Sequence, residues 1–232
     1  MKSQYSLTNE EIEDLVRTAA KKYKSPIDLN ILNSLLEMVY DTLEQHNRIL
    51  AIRTDTRFAL SHVPGEPDLP ICFQREDAQA ITRFFESLKS QLRVDHNRSK
   101  RPGDPTFPSY GWCRERDTSE HPHYHLMLLF NADVYGYLGN YQELNAKNMA
   151  TRIQKAWCSA LGLAHEDYST LTEFPPNAVY RFSRIDALGR STLYWDFLIR
   201  LAYLAKTRTK DVHSGYRNFG TSQCQHLGRL TY

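Results

Sequence analysis

Hydrophobic residues recur at helical spacing in five stretches of this chain. Thr8 and Glu11 match the capping box that begins a helix, and the hydrophobic stripe after them runs to Tyr23. Asp28 is placed to cap a second helix, whose stripe continues to Leu43. The same periodicity predicts three further helices, at about Arg75–Leu92, Asn145–Leu161 and Ser191–Thr207. The predicted core stripe of the last helix consists of Leu193, Phe197, Leu201 and Leu204.

Strand-like segments alternate with these helices. Arg48–Asp55 is predicted as the first strand, and Tyr110–Glu115 is followed, after a short turn, by a strand that ends at Asn131. Two strands joined by so short a turn must pair antiparallel. Segments 61–70 and 95–108 are predicted as loops because they contain Pro and Gly, and 168–182 is expected to be strand and loop. The fold class is therefore α+β rather than a doubly wound parallel sheet.

Composition restricts the class of protein further. At 232 residues, 41% hydrophobic and 24% charged, the chain suits one globular domain with room for a small appendage. We expect neither a membrane span nor secretion, because no apolar run reaches ~18 residues and the N-terminus lacks an apolar signal core. The four scattered cysteines favour free thiols in a reducing cytosol. The net charge of +2 alone predicts no nucleic-acid partner, but cations concentrate at 93–101 and 200–217.

A histidine pair begins the last predicted strand of the hairpin. His123 and His125 point to the same face, because side chains on a strand alternate, and Leu126 and Phe130 point to the other. Imidazoles held side by side on a rigid strand form a metal-ligand geometry. Surface histidines of an ordinary strand are the alternative for so short a motif, and a His121/His123 pair has the same parity.

A third ligand is predicted on the neighbouring strand. If the turn is centred on Ser119, Glu115 lies opposite His123 and Cys113 lies opposite His125. A carboxylate beside two imidazoles would complete a three-ligand site, but a slip of one residue would turn Glu115 to the other face. Asp55 and Glu120 remain as reserve candidates, and a plain surface charge is the alternative for Glu115.

Tyr203 and Lys206 form a second group of interest. Residues three apart on a helix lie on neighbouring positions, and neither belongs to the predicted core stripe. A phenol has a pKa of about 10 and needs a nearby cation to attack a phosphate as phenolate. An amphipathic boundary tyrosine and a helix-terminal lysine are the alternative interpretation.

These segments occur in a familiar order. The chain presents an apolar strand with Arg53 and Asp55, then Tyr110–Glu115, His123–Asn131, Tyr203–Lys206 and Arg217–Ser222. Over about residues 35–222 this order resembles the YagK/YfjJ C-terminal domain family, which overlaps the inovirus gene II-like replication proteins. Those proteins resemble HUH endonucleases, the rolling-circle initiators named for a His-hydrophobe-His motif.

The resemblance implies a role for each matching residue. The histidine pair matches the HUH motif and Glu115 its acidic ligand, which implies a bound Mg²⁺ or Mn²⁺. Tyr203 matches the catalytic tyrosine, and Lys206 matches the lysine one turn later. Because Tyr194 is nine residues from Tyr203, a single-tyrosine enzyme is expected.

The resemblance also implies an architecture and an activity. Residues 46–232 are expected to form an HUH endonuclease-like domain, with a central antiparallel sheet of about five strands flanked by helices, and 1–45 a helical appendage. The activity would be nicking and joining of single-stranded or hairpin DNA at an origin, through a 5′-phosphotyrosine. It would initiate rolling-circle-type replication of a phage, prophage or mobile element in the bacterial cytoplasm, with a helicase supplied by the host.

Basic and aromatic residues outside these motifs are candidates for DNA contact. The basic candidates bind phosphates and the aromatic ones stack on bases. They are Arg53, Arg98, Lys100, Arg101, Arg208, Lys210 and Arg217, together with Trp112 or Tyr110. Two alternatives stay open: an HUH transposase or relaxase, and a non-catalytic DNA-binding regulator on the same scaffold.

Overall fold

The computed structural model describes residues 3–60, 62–63, 66–70, 72–116, 121–208 and 217–222. Its α-helices are α1 Asn9–Tyr23, α2 Leu29–Gln45, α3 Ala80–Arg98, α4 Met149–Leu161, α5 His165–Tyr168, α6 Arg184–Leu188 and α7 Thr192–Ala202. Short 3₁₀ turns lie at Ser169–Leu171 and Tyr203–Ala205. The strands are β1 Arg48–Arg57, β2 His62–Val63, β3 Glu66–Pro70, β4 Ser109–Glu115, β5 His123–Asn131, β6 Thr172–Glu173, β7 Val179–Ser183 and β8 Phe219–Thr221.

Six of the described strands form one antiparallel sheet. The order is β6-β1-β5-β4-β8, and the short β6 and β7 both pair with the same edge of β1, at different ends of it. The α+β class and the antiparallel pairing of β4 with β5 are confirmed, and the described sheet has six strands where about five were expected.

Helices cover both faces of this sheet. On one face, which we call the α2 face, α1, α2 and α7 pack against side chains such as Ala51 and Met127. On the other, the α4 face, α3 and α4 pack against side chains such as Ile52 and Leu128. β5 therefore contributes alternate residues to two separate cores, as period-two alternation requires. The histidine pair belongs to the α2 face.

The first two helices begin where the sequence predicts. Thr8 Oγ1 accepts from the Glu11 N–H at 3.2 Å, and the Glu11 carboxylate accepts from the Thr8 N–H at 2.7 Å. Asp28 accepts from the N–H groups of Asn30 and Ile31. Both arrangements satisfy N–H groups that have no partner inside the helix, which fixes the first turn.

The boundaries of α3 differ from the prediction. This helix begins at Ala80 rather than Arg75 and continues to Arg98, so the first part of the predicted loop 95–108 is helical. His96 in the last turn is buried, and its Nε2 lies 2.9 Å from the Gly103 carbonyl oxygen. That contact ties the following loop to the helix end, and it involves residues that no helical periodicity connects. The prediction of 61–70 as loop was also wrong, because β2 and β3 pair there.

The last long helix is shorter than predicted. α7 ends at Ala202 and passes into the 3₁₀ turn that holds Tyr203. Leu193, assigned to the core stripe, is 44% exposed, whereas Tyr194 is fully buried. Both residues lie at helical spacing from Phe197, so periodicity alone could not choose between them.

The first two helices share a core with the sheet. α2 lies so close to β4 that a Cβ atom on Gly111 would collide with the Leu35 side chain. Residues of α1 and α2 are buried in the same hydrophobic cluster as Ala51 and Met127 of the sheet. The division into an appendage and a domain at residue 46 stays a prediction. No helix among the described residues combines the length and the apolar character that crossing a membrane requires.

Candidate functional site

The antiparallel register places the predicted ligands beside one another. Glu115 lies opposite His123, and Cys113 lies opposite His125, as the turn position predicts. On the other side of β5, Asp55 of β1 lies opposite His125. Directly opposed residues share a face, so two carboxylates and two imidazoles gather on the α2 face at one end of the sheet.

Glu115, His123 and His125 form a group that could hold a metal ion. Each offers one ligand atom, and these atoms lie within 4.8 Å of one another. Glu115 and His125 are buried, and His123 is half-buried. His121 is not part of the group, because its Nδ1 lies 3.2 Å from Glu76 and its ring packs against Phe58. Glu120 falls outside the described residues.

Asp55 lies behind His125 rather than in the ligand group. Its Oδ1 atom is 2.7 Å from His125 Nδ1, and His125 Nε2 is 3.2 Å from Glu115 Oε2. A carboxylate that accepts from Nδ1–H fixes the imidazole with Nε2 free to bind, as in many metal sites. Asp55 therefore orients His125, and Glu115 is the better third ligand.

The pKa values of these groups suit metal binding. Burial disfavours the Asp55 carboxylate, but the hydrogen bond to His125 and the Arg53 charge outweigh it and lower the Asp55 pKa to about 2. Burial likewise opposes ionisation of Glu115, yet His125 and Lys206 lower its pKa to about 2. Burial, with the neighbouring His125, lowers the pKa of His123 to about 4. Ionised carboxylates and a neutral His123 are the forms that donate lone pairs to a metal near neutral pH.

Tyr203 and Lys206 meet this group from the end of α7. Lys206 Nζ lies 2.9 Å from the Tyr203 hydroxyl oxygen and 2.9 Å from Glu115 Oε2. The Tyr203 ring packs edge-to-face on His125, with 5.0 Å between ring centroids. Burial lowers the Lys206 pKa because it disfavours the charged ammonium group. The hydrogen bonds to Tyr203 and Glu115 outweigh this effect, so the Lys206 pKa is raised overall. The structure thus brings the two predicted groups of residues into one connected network.

The connection between α1 and α2 anchors Lys206. The Asp28 N–H donates to the Ala205 carbonyl at 2.8 Å, and the Thr207 N–H donates to the Pro26 carbonyl at 3.0 Å. An isolated bridge pairs Ile27 with Lys206 itself. Residues from the predicted N-terminal appendage therefore hold a site residue in place, and no local pattern in the sequence indicates this contact.

Arg53 is buried within the site instead of lying on a DNA-accessible surface. It is 2% exposed, forms an ion pair with Asp55, and has its Cζ atom 5.1 Å from the centroid of the Tyr203 ring. Tyr23 of α1 packs edge-to-face on the same ring at 5.1 Å. Neither contact was predicted from the sequence, in which Arg53 is a candidate DNA ligand and Tyr23 belongs to the hydrophobic stripe of its helix.

The aromatic candidates for base stacking lie elsewhere. Trp112 is 7% exposed and packs on the α4 face against Tyr124, with 5.7 Å between ring centroids. Tyr110 stacks on Phe85 at 3.6 Å. Neither ring lies beside the ligand group, and the burial of Trp112 leaves little of its ring open to a base.

The remaining basic candidates are distributed over the surface. Arg98 and Lys100 are exposed at the end of α3, and Arg101 pairs with Asp95 at 3.1 Å. Arg208 is exposed, and its N–H donates to Ser25 Oγ at 3.1 Å. Arg217 lies near Trp112, with its Cζ atom 6.0 Å from the indole ring. Lys210 falls outside the described residues.

Comparisons with known proteins agree on one family. A model of the YagK/YfjJ C-terminal domain matches residues 8–222. The uncharacterized protein YfjJ of Escherichia coli (strain K12) is 35% identical over 192 residues, covering 81% of this chain and 90% of YfjJ. The uncharacterized protein YagK of the same strain is 34% identical over 185 residues, covering 78% of this chain and 86% of YagK. No solved structure matches the chain. The chain therefore belongs to the YagK/YfjJ C-terminal domain family.

Proposed function

We propose that this protein is a metal-dependent, single-tyrosine DNA endonuclease with HUH-type chemistry. One observation carries the proposal: the Tyr203 hydroxyl, the Lys206 ammonium and the Glu115 carboxylate form a hydrogen-bonded chain beside the histidine pair. A nucleophile, a cation and a metal-ligand group on one sheet face are the parts that phosphoryl transfer needs. A histidine-bearing strand inside an antiparallel sheet is also the arrangement that the HUH resemblance implies.

The donor set fits Mg²⁺ or Mn²⁺. Glu115, His123 and His125 supply one carboxylate oxygen and two imidazole nitrogens, which leaves positions for phosphate oxygens and water. When bound, the ion supplies Lewis-acid polarisation of a phosphate oxygen. Asp55 keeps the His125 ring in the orientation that presents Nε2 to the site.

Tyr203 is the nucleophile in this scheme. Its oxygen forms a bond to the phosphorus of a DNA phosphodiester, and the bond from phosphorus to the 3′ oxygen breaks. The phenolic proton is lost and the leaving oxygen gains one, so the products are a 5′-phosphotyrosine and a free 3′-OH. Lys206, which already contacts the Tyr203 oxygen, stabilises negative charge on that oxygen and on the phosphate.

The energetics of this exchange suit replication initiation. One phosphodiester replaces another, so the reaction needs no ATP and is reversible by attack of a 3′-OH. The sequence has no Gly-x-x-x-x-Gly-Lys-Ser/Thr loop that would bind a nucleoside triphosphate. We therefore propose that the substrate is single-stranded or hairpin DNA at the origin of a phage, prophage or mobile element. Strand separation would then depend on a helicase of the bacterial host.

A labelled oligonucleotide pool tests the activity. Incubation with the protein and Mn²⁺ or Mg²⁺ is expected to give a protein–DNA adduct that resists denaturant. EDTA and Tyr203→Phe should each abolish the adduct, because they remove the metal and the attacking oxygen. Tyr137→Phe is the matched control, since Tyr137 is 65% exposed and lies outside the site. DNA that shifts on a gel without forming an adduct would support a non-catalytic regulator, and an adduct that survives Tyr203→Phe would reject this nucleophile.

A further inference from the structure

A groove lies between α3 and α4, away from the metal-ligand group. Its volume is about 580 Å³, and its lining includes Asp95 and Arg98 of α3, Lys147, and Arg152 and Lys155 of α4. These helices cover the α4 face, whereas the candidate site lies on the α2 face. We call this feature the α3–α4 groove.

The groove also lies toward the opposite end of the sheet. The C-terminal part of α4 meets the site end of β1, where Trp157 Nε1 donates to the Arg57 carbonyl at 2.7 Å. The groove instead follows the N-terminal part of α4, where Arg152 pairs with Asp95. A ligand in the groove therefore cannot touch the group that holds the proposed metal.

Positive charge in the groove exceeds negative charge. The lining carboxylate, Asp95, is already paired with Arg152 and with Arg101. Arg98, Lys147 and Lys155 are exposed, and within the described residues no hydrogen bond or ion pair neutralises them. Because the whole chain carries a net charge of only +2, this excess is a local concentration of cations.

Exposed hydroxyl groups accompany these cations in the groove. Ser90 and Ser99 contribute them, and Val94 and Ala146 are the hydrophobic side chains of the lining. Unpaired cations together with hydroxyl donors are the groups that proteins direct at phosphate oxygens.

We propose that the α3–α4 groove binds the phosphate backbone of DNA, as a second contact separate from the cleavage centre. The choice of DNA among phosphate-bearing polyanions rests on the proposed function. The groove contributes affinity that is independent of base sequence, because cations and hydroxyls there meet phosphates rather than base edges. A strand held in the groove keeps the protein on DNA while the site on the other face engages its target.

Neutralising two groove lysines tests the proposal. Binding of a fluorescent oligonucleotide is measured by anisotropy, in EDTA, for the Lys147→Gln/Lys155→Gln protein across about 50 to 200 mM salt. Each lost phosphate contact removes about 0.7 to 0.9 from the slope of log affinity against log salt, so loss of two contacts should lower the slope by about 1.4 to 1.8. Affinity at the lowest salt should fall about 10-fold or more. Thermal unfolding of each variant verifies that the fold is intact.

A matched control separates the groove from general surface charge. Arg17→Gln/Lys21→Gln removes the same charge from two exposed residues of α1, on the other side of the sheet. If this control weakens binding as much as the groove variant, the groove assignment is wrong. Thermal shift assays with inorganic phosphate and with a mononucleotide test whether the groove binds a small ligand instead. If these compounds stabilise the unchanged protein but not the groove variant, and both proteins bind DNA equally well, the ligand of the groove is a free phosphate compound rather than DNA.

The outcome is independent of the nicking reaction. Weaker DNA binding by the groove variant, in a protein that forms no adduct, would support the groove and reject the endonuclease. If the protein forms adducts but its groove variant binds DNA with unchanged affinity and salt slope, the result would support the endonuclease and reject the groove.

Discussion

The two faces of the central sheet differ in the side chains that β5 contributes to them. On the α4 face, β5 presents Leu126, Leu128 and Phe130, which are all buried among hydrophobic side chains. On the α2 face, Met127 and Leu129 are equally hydrophobic, but His125 and then His123 follow toward the start of the strand. One face is a continuous core, and the other changes from core to charged site within two residues.

This difference separates residues that stabilise the fold from residues that serve chemistry. Burial of a hydrocarbon side chain stabilises by about 1.5–3 kcal/mol, whereas burial of a charge costs free energy unless partners compensate it. On the α2 face, Arg53, Asp55, Glu115 and Lys206 compensate one another, with His125 between the two carboxylates. Both faces have an extensive hydrophobic core, so the charged site occupies one end of the α2 face without replacing that core.

The largest effect on stability is expected on the α4 face. Leu128→Ala removes a fully buried side chain and leaves a cavity, so the free energy of unfolding should fall by about 2–5 kcal/mol. Urea unfolding measures the change. Leu193→Ala, at a position that is 44% exposed, should change it by about 0.5 kcal/mol or less. Equal losses at both positions would contradict the burial of Leu128 in the core of this face.

The next largest effect concerns metal binding on the α2 face. Glu115→Gln removes a charged ligand, so stabilisation by Mn²⁺ in a thermal shift assay should be lost. Asp55→Asn should weaken Mn²⁺ affinity by about 10- to 100-fold, because Asp55 acts through His125. If Asp55→Asn abolishes metal-induced stabilisation and Glu115→Gln leaves it intact, the third ligand is Asp55.

Two arginine–aspartate pairs on β1 offer a matched comparison. Arg53 pairs with Asp55 inside the site, whereas Arg48 pairs with Asp133 at the exposed end of the strand. Arg53→Met removes the positive charge that compensates the buried Asp55 carboxylate. We therefore expect about 10-fold weaker Mn²⁺ binding by calorimetry and a lower unfolding temperature. Arg48→Met should change stability by about 0.5 kcal/mol or less. Similar results for both variants would show that Arg53 does not position the site.

Stability is also expected to depend on pH. The pKa values of Asp55 and Glu115 are about 2 in the folded protein, and that of His123 is about 4, all below their ordinary values. The unfolded chain therefore binds more protons than the folded one, and stability should fall as pH decreases. His123 contributes to the loss between about pH 6.5 and 4, and the two site carboxylates contribute from about pH 4.5 to 2.

Urea unfolding of the metal-free protein at several pH values measures this dependence. His123→Gln should flatten the part of the curve above about pH 4, and Glu115→Gln should flatten part of it below about pH 4.5. A curve for His123→Gln that matches the unchanged protein would show that folding does not lower the His123 pKa.

Local patterns were sufficient for the existence of the five longer helices, but not for the bounds of α3 and α7, and for the first half of the site. Capping residues located the starts of α1 and α2, because the bonds involved span only two or three residues. Strand alternation separated the histidine pair from Leu126, and a turn centred on Ser119 correctly predicted the register that sets Glu115 opposite His123. These features depend on backbone geometry within one helix turn or one hairpin, which nearby residues determine.

Only the tertiary structure decided how the site is completed. The position of Tyr203 and Lys206 beside Glu115 depends on how α7 packs on the α2 face and on pairing of 205–207 with 26–28. The sequence likewise did not reveal that Arg53 is buried against Asp55, since a basic residue on a strand is equally consistent with a surface position. Contacts between segments distant in sequence arise from packing and mutual charge compensation, and no short stretch of residues encodes either one.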